Sequence, residues 1–266
     1  VGALGAVVAA IVGEYFHWRT AYFVGGGLGL LLLALRMGTF ESGMFKEIQH
    51  AEIKKGAFLS LFTNKKVFKK YLACILTGLP VWYVIGILIV FSPELSKEFN
   101  LNFELKGSAK PIMWAYIGLS FGDLLSGLLS QIFRNRIKVV AIFILFSLIM
   151  SAVFLYVPAA NENMFFLFCF LLGTGTGFWA LFVTIASEQF GTNIRSTVTT
   201  TVPNFVRGSL NVLTFAFLAL EANFGLINSA MIVGVASCTV ALFSVLSLKE
   251  SFGKDLNYIE DLDTSN

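Results

Sequence analysis

The stretch STVTTTVPNFVRGSLNVLTFAFLAL, residues 196–220, is long and apolar enough to cross a membrane as one helix. A hydrocarbon core of about 30 Å needs roughly 20 helical residues at ~1.5 Å each. Arg207 lies near the middle of this stretch, where a guanidinium costs roughly 2.5–3.5 kcal/mol on insertion scales. Such a residue needs a wet or anionic partner, so it points to a solute pathway through a bundle of helices.

The composition excludes an ordinary soluble domain. Of the 266 residues, 56% are hydrophobic and 13% are charged, whereas soluble domains carry about 25% charged residues. The mean hydropathy is +0.79. The apolar residues gather in blocks at 1–13, 20–36, 71–93, 111–131, 139–157, 164–186, 196–220 and 225–247. These blocks predict an all-α, polytopic membrane protein built as a helical bundle, and they lack the alternating pattern of an outer-membrane barrel.

The first block begins at Val1 without a starter methionine or a charged flank. A secretory signal would carry a basic segment and a cleavage site, and neither stands there. We therefore expect the chain to start inside a spanning helix, with missing N-terminal helices of the same protein before it.

The lysines and arginines between the blocks are divided unequally between two faces of the predicted bundle. Fourteen of the nineteen fall in connections that share one face, which we name the basic face: Arg36, Lys46, Lys54, Lys55, Lys65, Lys66, Lys69, Lys70, Arg134, Arg136, Lys138, Arg195, Lys249 and Lys254. Lysine and arginine accumulate on the cytoplasmic side of membrane proteins. The basic face and the C-terminus are therefore predicted to be cytoplasmic, in an inner or plasma membrane.

The connection at residues 37–70 is the longest and divides the chain into two bundles joined by a cytoplasmic loop. Residues 1–36 are expected to end the first bundle, residues 71–247 to form the second, and residues 248–266 to form a cytoplasmic tail. The basic run Lys65–Lys70 has two interpretations, a nucleic-acid patch or an anchor to anionic lipid headgroups. The neighbouring spans favour the headgroups, so the lipid bilayer rather than nucleic acid is the expected partner.

Neither the cysteines nor the histidines predict a metal, a cofactor or a redox site. Cys74, Cys169 and Cys238 lie in three different apolar blocks, where unpaired thiols are buried as small hydrophobic side chains. His17 and His50 fall in loops on opposite faces, which disfavours a metal site or a histidine proton relay.

Two blocks carry glycines four residues apart, the spacing of small residues at a close contact between membrane helices. The pairs are Gly118 with Gly122 and Gly173 with Gly177. The glycine-rich run at 173–177 lies inside an apolar block and no lysine follows it, so it does not predict a phosphate-binding loop.

An internal duplication is indicated by two similar block ends. Glu41 and Ser42 follow one block that runs toward the basic face, and Glu250 and Ser251 follow another about six spans later. Parallel repeats of six spans are the architecture of one large class of transporters.

Four stretches match known motifs in their residue types. HWRTAYF at 17–23 resembles a G-W-R-x-x-F turn, and EQFGTNIR at 188–195 resembles an E-x-F-P-T-x-x-R loop with glycine in place of the proline. ESFGKDL at 250–256 resembles a P-E-T-K-G tail without its proline and threonine. GLSFGDLLSG at 118–127 resembles a G-x-x-x-D-R-x-G-R loop, but no base follows its aspartate. Together these stretches resemble the Major Facilitator Superfamily, near its sugar and organic-acid proton symporter branches.

The resemblance covers essentially the whole chain and implies the last eight of twelve helices, arranged in six-helix bundles. It implies a secondary active transporter that works by alternating access, with protons as the coupling ion and no enzymatic activity. Arg207 adds that the small-molecule solute is polar and anionic. A drug/proton antiporter is one alternative. A membrane-embedded acyl- or glycosyltransferase is the alternative from another class, although no cluster of His, Asp or Cys at one interface supports it.

The resemblance also implies that two tryptophan-bearing helices face the central cavity. A proline interrupts one of them just before Trp82 and Tyr83, and Trp179 follows the glycine-rich run of the other. Pro and Gly can break spanning helices where they line a cavity. These aromatics, together with Arg207 and with Asn204 about one turn before it, are the predicted solute contacts.

Charged residues toward the basic face are predicted to gate or brace the bundle. Glu188 and Arg195 flank a tight turn and are expected to pair across it or to exchange partners as the bundle rocks. Asp123, some two turns inside the end of its helix, is expected to act as a latch on Arg134, Arg136 or a helix N-terminus. No carboxylate is expected at mid-membrane, so the coupling residue is assigned to the preceding helices.

Overall fold

The computed structural model describes residues 4–16, 18–37, 58–99, 103, 105 and 107–261, and every structural statement below concerns those residues. All regular structure within them is helical. The helices are α1 (Leu4–Tyr15), α2 (Trp18–Arg36), α3 (Ser60–Thr63), α4 (Lys65–Thr77), α5 (Leu79–Tyr83), a π-helix (Val84–Ile89), α6 (Ser92–Glu98), α7 (Ala109–Phe133), α8 (Arg136–Tyr156), α9 (Glu162–Thr176), α10 (Trp179–Glu188) and the stretch Thr192–Ser247.

Within the described residues, five helical stretches are long and apolar enough to cross a membrane. They are Lys65–Ile89, Ala109–Phe133, Arg136–Tyr156, Glu162–Glu188 and Thr192–Ser247. The predicted all-α, polytopic bundle is therefore confirmed.

The stretch Thr192–Ser247 consists of two antiparallel helices. Gly225 has φ 73° and ψ 167°, a conformation that is essentially restricted to glycine. It separates α11 (192–224) from α12 (226–247). The two helices run in opposite directions, since their outer ends lie together. Nε2 of Gln189, just before α11, donates to the carbonyl oxygen of Lys249, just after α12, at 2.5 Å. The last two apolar blocks thus form separate spans.

Apolar side chains fill the bundle in two buried clusters, one toward each end. The cluster toward the basic face includes Phe182, Phe190 and Val198, and the other includes Phe154 and Phe217. The outer surface is apolar as well, with exposed side chains at Leu124, Leu128, Ile132, Ile149 and Phe243. An apolar exterior of this kind matches the hydrocarbon of a bilayer.

Helices α7 and α9 pack with their backbones in contact. A Cβ added at Gly118 would overlap the carbonyl oxygen of Phe170, and one added at Gly173 would overlap the backbone of α7. Gly122 and Gly177 likewise lie backbone to backbone. The close contact predicted from the glycine spacing is confirmed, and a larger side chain there would force the two helices apart.

Two spans are broken near their middles. The first break lies at Gly78 and Pro80, between α4 and α5, and the chain then continues as the π-helix. The second lies at Gly177 and Phe178, between α9 and α10. Irregular backbone at membrane depth is tolerated where it is buried in protein or lines a cavity. The interruptions that the proline and the glycine-rich run predict are therefore present.

Helix α4 begins earlier than the apolar block does, at Lys65 rather than at residue 71. The side chain of Asn64 caps it by accepting from the N–H groups of Lys66 at 3.0 Å and Val67 at 3.3 Å. The basic run thus lies on the first turns of a spanning helix. Lysine stems there can lie along apolar surface while their ammonium groups reach water.

The loop expected to join two bundles, at residues 37–70, lies mostly outside the described residues, as do His17 and His50. The division into two bundles therefore stays a prediction. All three cysteine thiols are buried and free, in the positions expected of small hydrophobic side chains.

Candidate solute-binding site

Arg207 projects from α11 with an exposed side chain. Its Nη1 donates to Oδ1 of Asn204 at 2.9 Å. Its Cζ lies 5.5 Å from the ring centroid of Trp179, the first residue of α10, which is a cation–π distance. It forms no salt bridge with any described carboxylate, so the partners of this charge are neutral.

Two tryptophans stand edge to face beside the arginine. The rings of Trp82, on α5, and Trp179 have centroids 6.4 Å apart and planes at 83°. Phe182 packs beside Trp179 with ring centroids 5.3 Å apart. The indole N–H of Trp82 is buried and has no hydrogen-bond partner in the described part of the chain. Buried donors are normally satisfied, so this N–H is a candidate donor to a ligand.

Four of the five predicted solute contacts lie together: Arg207, Asn204, Trp82 and Trp179. Tyr83 does not join them, because its side chain is fully buried and lies against Gly234 of α12. Consecutive helical residues point about 100° apart, so Trp82 and Tyr83 face different sides of α5. Tyr83 is therefore removed from the candidate site.

Asp123 holds the half-helix that carries Trp179. Its Oδ1 accepts a hydrogen bond at 3.0 Å from the N–H of Ala180, in the first turn of α10. A carboxylate in this place also meets the positive end of the helix dipole. Because Trp179 begins α10, the cap on the helix fixes the indole ring that lies under Arg207.

Asp123 lies deeper than expected, and its partner is a helix N-terminus, one of the three partners that the sequence predicts. It lies ten residues before Phe133, the end of α7, which is about 15 Å along a helix. Asp123 is thus nearly three turns inside the end of the helix, rather than the two turns expected. Its partner is the N-terminus of α10 rather than Arg134, which is exposed in a left-handed conformation (φ 49°), or Arg136. The sequence signal for this partner was the end of the glycine-rich run, where the span breaks and exposes new N–H groups.

Glu188, at the end of α10, forms an ion pair with Arg136 at the start of α8. Its Oε1 lies 2.9 Å from Nη2 of the arginine, and the two side chains are 8% and 15% exposed. The expected pair between Glu188 and Arg195 is not formed. The start of α8 lies against the end of α10 and presents its own arginine to the carboxylate.

Arg195 binds backbone carbonyl groups instead. Its Nε donates to the carbonyl oxygens of Ser187 at 3.1 Å and Phe190 at 3.2 Å, and its Nη2 donates to that of Leu256 at 2.5 Å. The last turn of a helix exposes unpaired carbonyl oxygens and carries the negative end of the dipole. An arginine in this place is therefore satisfied without a carboxylate.

The carboxylate of Glu250 caps the N-terminus of α8. It accepts from the N–H groups of Ile137 at 3.1 Å, Ser251 at 2.9 Å and Phe252 at 2.8 Å. Partial burial alone would raise the pKa of Glu250, but these donors outweigh burial and hold the pKa below its ordinary value of 4.5. Hydrogen bonds to the ionised form act in this direction.

The chain after α12 lies across the same face. Glu260 pairs with Nζ of Lys70 at 2.6 Å and accepts from the N–H of Gly191 at 3.0 Å. The basic-face cap is the name we give to Arg136, Glu188, Arg195, Glu250 and Glu260 together. Its contacts join helix ends that the sequence assigns to one face.

The mid-span site is the name we give to Arg207, Asn204, Trp82 and Trp179, which together present a cation, an amide and two indole rings. In the part of the chain that the structure describes, no three His, Cys, Asp or Glu side chains gather as metal ligands. The fold defines a polytopic helical membrane protein, and the mid-span site is its candidate ligand site.

A family model for the Major Facilitator Superfamily matches residues 1–213. The chain belongs to this family, which is a family of secondary transporters. A comparison with curated proteins gives no match.

Proposed function

We propose that the chain moves a small, polar, anionic solute across a cell membrane by alternating access, in symport with protons. The observation that carries the proposal is Arg207, a permanent positive charge within a spanning helix whose contacts are an amide and an indole ring. Such a charge is costly in hydrocarbon unless it faces water or an anion. Its exposed side chain supports a position on a water-filled pathway.

The guanidinium of Arg207 suits a carboxylate or a phosphate. Arginine presents five N–H donors in a rigid fork that binds two oxygens at once. Nη1 of Arg207 donates to Asn204, and the other N–H groups of the guanidinium can donate to a solute. The unpartnered N–H of Trp82 adds a neutral donor close by, so one anion can receive bonds from two helices.

A drug/proton antiporter is the second candidate, and the aromatic cluster favours it. The rings of Trp82, Trp179 and Phe182 form an apolar wall that would suit a greasy substrate. Many drugs exported by antiporters are cations, and Arg207 would repel a cation in this place. The charge of the transported solute therefore decides between the two candidates.

The orientation in the membrane is a further part of the proposal. A cytoplasmic basic face would place Ser60, which precedes the basic first turns of α4, inside the cell. A cysteine at this position should resist an impermeant thiol reagent in intact cells and react after the membrane is opened. Ready labelling from outside would reverse the assignment of the two faces and of the C-terminus.

Transport by liposomes that contain the purified protein tests the solute class. With an acid exterior, the protein should accumulate labelled mono- and dicarboxylates or sugar phosphates, but not neutral sugars. Arg207→Gln should abolish this uptake. The matched control Lys138→Gln, which removes an exposed charge at the start of α8, should not.

The two halves of the proposal can fail separately in this experiment. Uptake of neutral sugars or of cations that survives Arg207→Gln would overturn the anionic solute. Anion uptake that persists after an ionophore collapses the pH gradient would leave the solute class in place and overturn proton symport.

A further inference from the structure

A cavity of about 730 Å³ lies at the basic face, between the bundle and the chain that follows α12. Its walls are the first turns of α4, the end of α10, the end of α12 and residues 249–258. Ligand sites commonly measure roughly 300–1,000 Å³. None of the mid-span residues lines this cavity, so it is a separate place on the molecule.

The charged side chains on the cavity walls leave an excess of positive charge. Two of them are already neutralised: Lys70 pairs with Glu260 at 2.6 Å, and Glu188 pairs with Arg136 at 2.9 Å. Three further wall lysines form no ion pair within the described residues: Lys69, Lys249 and Lys254. Against them stands one remaining wall acid, Asp255, so the walls carry a net excess of two positive charges.

Ser251 supplies an observation that is independent of the lysines. It lies on the cavity wall, its side chain is 2% exposed, and its Oγ has no hydrogen-bond partner in the described chain. Nearly all buried polar groups have a partner. A ligand oxygen inside the cavity would supply the hydrogen-bond partner that Ser251 Oγ lacks.

The outer wall of the cavity is fixed before any ligand binds. The side chain of Asn193 accepts from the N–H of Glu260 at 2.9 Å and donates to its carbonyl oxygen at 3.1 Å, and the N–H of Thr192 donates to the carbonyl oxygen of Tyr258 at 2.8 Å. Burial and the Glu260 charge raise the pKa of Tyr258 to about 12. Its phenol on the cavity wall carries no negative charge at pH 7 and donates to the carbonyl oxygen of Glu188 at 3.5 Å.

We propose that this cavity binds a phosphate group, with Lys69, Lys249 and Lys254 neutralising its charge and Ser251 Oγ donating to one of its oxygens. A phosphate monoester carries about −1.5 to −2 charges and three strong acceptor oxygens, which matches the net charge and the several donors of the walls. A carboxylate would neutralise half of that excess. The site does not depend on the proposed transport function.

The phosphate has two sources that share this chemistry. Basic pockets beside membrane helices bind the headgroups of anionic lipids, and a headgroup that carries a phosphate monoester presents the same three oxygens as a soluble phosphate compound. Both sources are candidates, because the cavity is lined by the first turns of α4, which begin the candidate membrane span Lys65–Ile89.

Equilibrium binding of labelled pyrophosphate to the full chain in a neutral detergent tests the proposal. The protein should bind about one pyrophosphate saturably. A cavity variant with Lys69→Gln, Lys249→Gln and Lys254→Gln should lose affinity by about tenfold or more, since charge-assisted hydrogen bonds are lost. Ser251→Ala keeps every charge, and it should weaken binding by roughly threefold.

A surface variant controls for charge alone. Lys65→Gln, Lys66→Gln and Lys138→Gln also remove three exposed positive charges from the same face, but none of these residues lines the cavity. This variant should change the affinity by less than about twofold. Equal losses in the two triple variants, or no saturable binding by the unchanged protein, would overturn the proposal.

Lipid nanodiscs separate the two sources. If phosphatidic acid, which carries a phosphate monoester, displaces pyrophosphate from the unchanged protein in a phosphatidylcholine disc, a lipid headgroup is the occupant. If pyrophosphate binds equally in discs with and without the anionic lipid, a soluble phosphate compound is the occupant. Either result supports a phosphate site, provided that the cavity variant loses the binding.

Discussion

The mid-span site and the basic-face cap both place charged side chains among apolar helices, yet their contacts differ. In the cap, Glu188 meets Arg136, and Glu250 accepts from three backbone N–H groups. At mid-span, Arg207 meets an amide and an indole ring, and the N–H of Trp82 meets no partner in the described chain. The cap thus pairs charge with opposite charge or with backbone groups, although Nε of Arg136 and Oε2 of Glu188 are buried without a partner in the described chain. The one charge at mid-span has neutral partners.

Under the proposed function, this difference separates charges that hold the fold from charges that bind a ligand. An open charge within a membrane lowers stability, so it persists where a function uses it. Variants of the cap should therefore lose stability and keep solute affinity. Variants at mid-span should lose solute affinity and keep stability.

The largest expected effect is the loss of stability in Glu188→Ala. The change leaves the largely buried guanidinium of Arg136 without its carboxylate, which costs roughly 3–5 kcal/mol. The denaturation midpoint, followed by the helical circular dichroism of the purified protein, should fall accordingly. The protein that remains folded should bind solute with unchanged affinity.

Charge exchange identifies the partner of Glu188. Glu188→Arg combined with Arg136→Glu should recover part of the lost stability, whereas Glu188→Arg combined with Arg195→Glu should not, because Arg195 binds carbonyl oxygens. Recovery by the Arg195 exchange alone would restore the pairing expected from the sequence and contradict the geometry of the cap.

The next effect is the loss of solute affinity in Arg207→Lys. Lysine keeps the charge but loses the planar fork that binds two oxygens. A lost hydrogen bond to a charged group is worth about 1.5–3 kcal/mol, or roughly a ten- to hundredfold rise in KM. The denaturation midpoint should stay unchanged. Normal amounts of a lysine variant that transports with unchanged affinity and rate would remove Arg207 from the solute site.

The order of the spans and the position of Arg207 could be predicted because both leave strong marks on the sequence. Each span is a long apolar run, and a charge inside such a run is conspicuous. Glycine spacing predicted that α7 and α9 each make a close helix contact, because helices approach closely where side chains are small, and the structure shows that they make it with each other.

The partners of the charged side chains could not be predicted, because tertiary packing decides among similar candidates. Glu188 had two arginines in nearby turns, and the approach of α8 selected Arg136 over Arg195. For Asp123 the sequence left two arginines and a helix N-terminus as candidates, and the break at Phe178 places the start of α10 beside it. The burial of Tyr83 depends on the direction of α5 after the break at Gly78.

A smaller effect is expected from Asp123, which links the two regions by capping the half-helix under Arg207. Loss of a helix cap costs about 1 kcal/mol, so Asp123→Ala should raise KM roughly fivefold with a modest fall in stability. Asp123→Asn keeps an acceptor and should lose less affinity.

Tryptophan fluorescence checks the position of α10 directly. In a Trp18→Phe and Trp114→Phe background, Asp123→Ala should make the emission of the two remaining tryptophans easier to quench. An unchanged KM together with unchanged quenching would show that α10 keeps its place without this cap.

The smallest effect is the pH dependence of the cap at Glu250. Its pKa in the folded protein lies below 4.5, so its contribution to stability is fully present above the unfolded value and is lost as the pH falls through the folded value. A carboxylate at a helix N-terminus is worth roughly 0.3–1 kcal/mol, so Glu250→Gln should be less stable than the unchanged protein by about that amount at pH 7. The difference in denaturation midpoint should shrink once the pH falls below 4.5, because the carboxyl of the unchanged protein then becomes neutral as well. A difference that stays constant from pH 7 to pH 3 would show that the shape of the side chain, and not its charge, holds the start of α8.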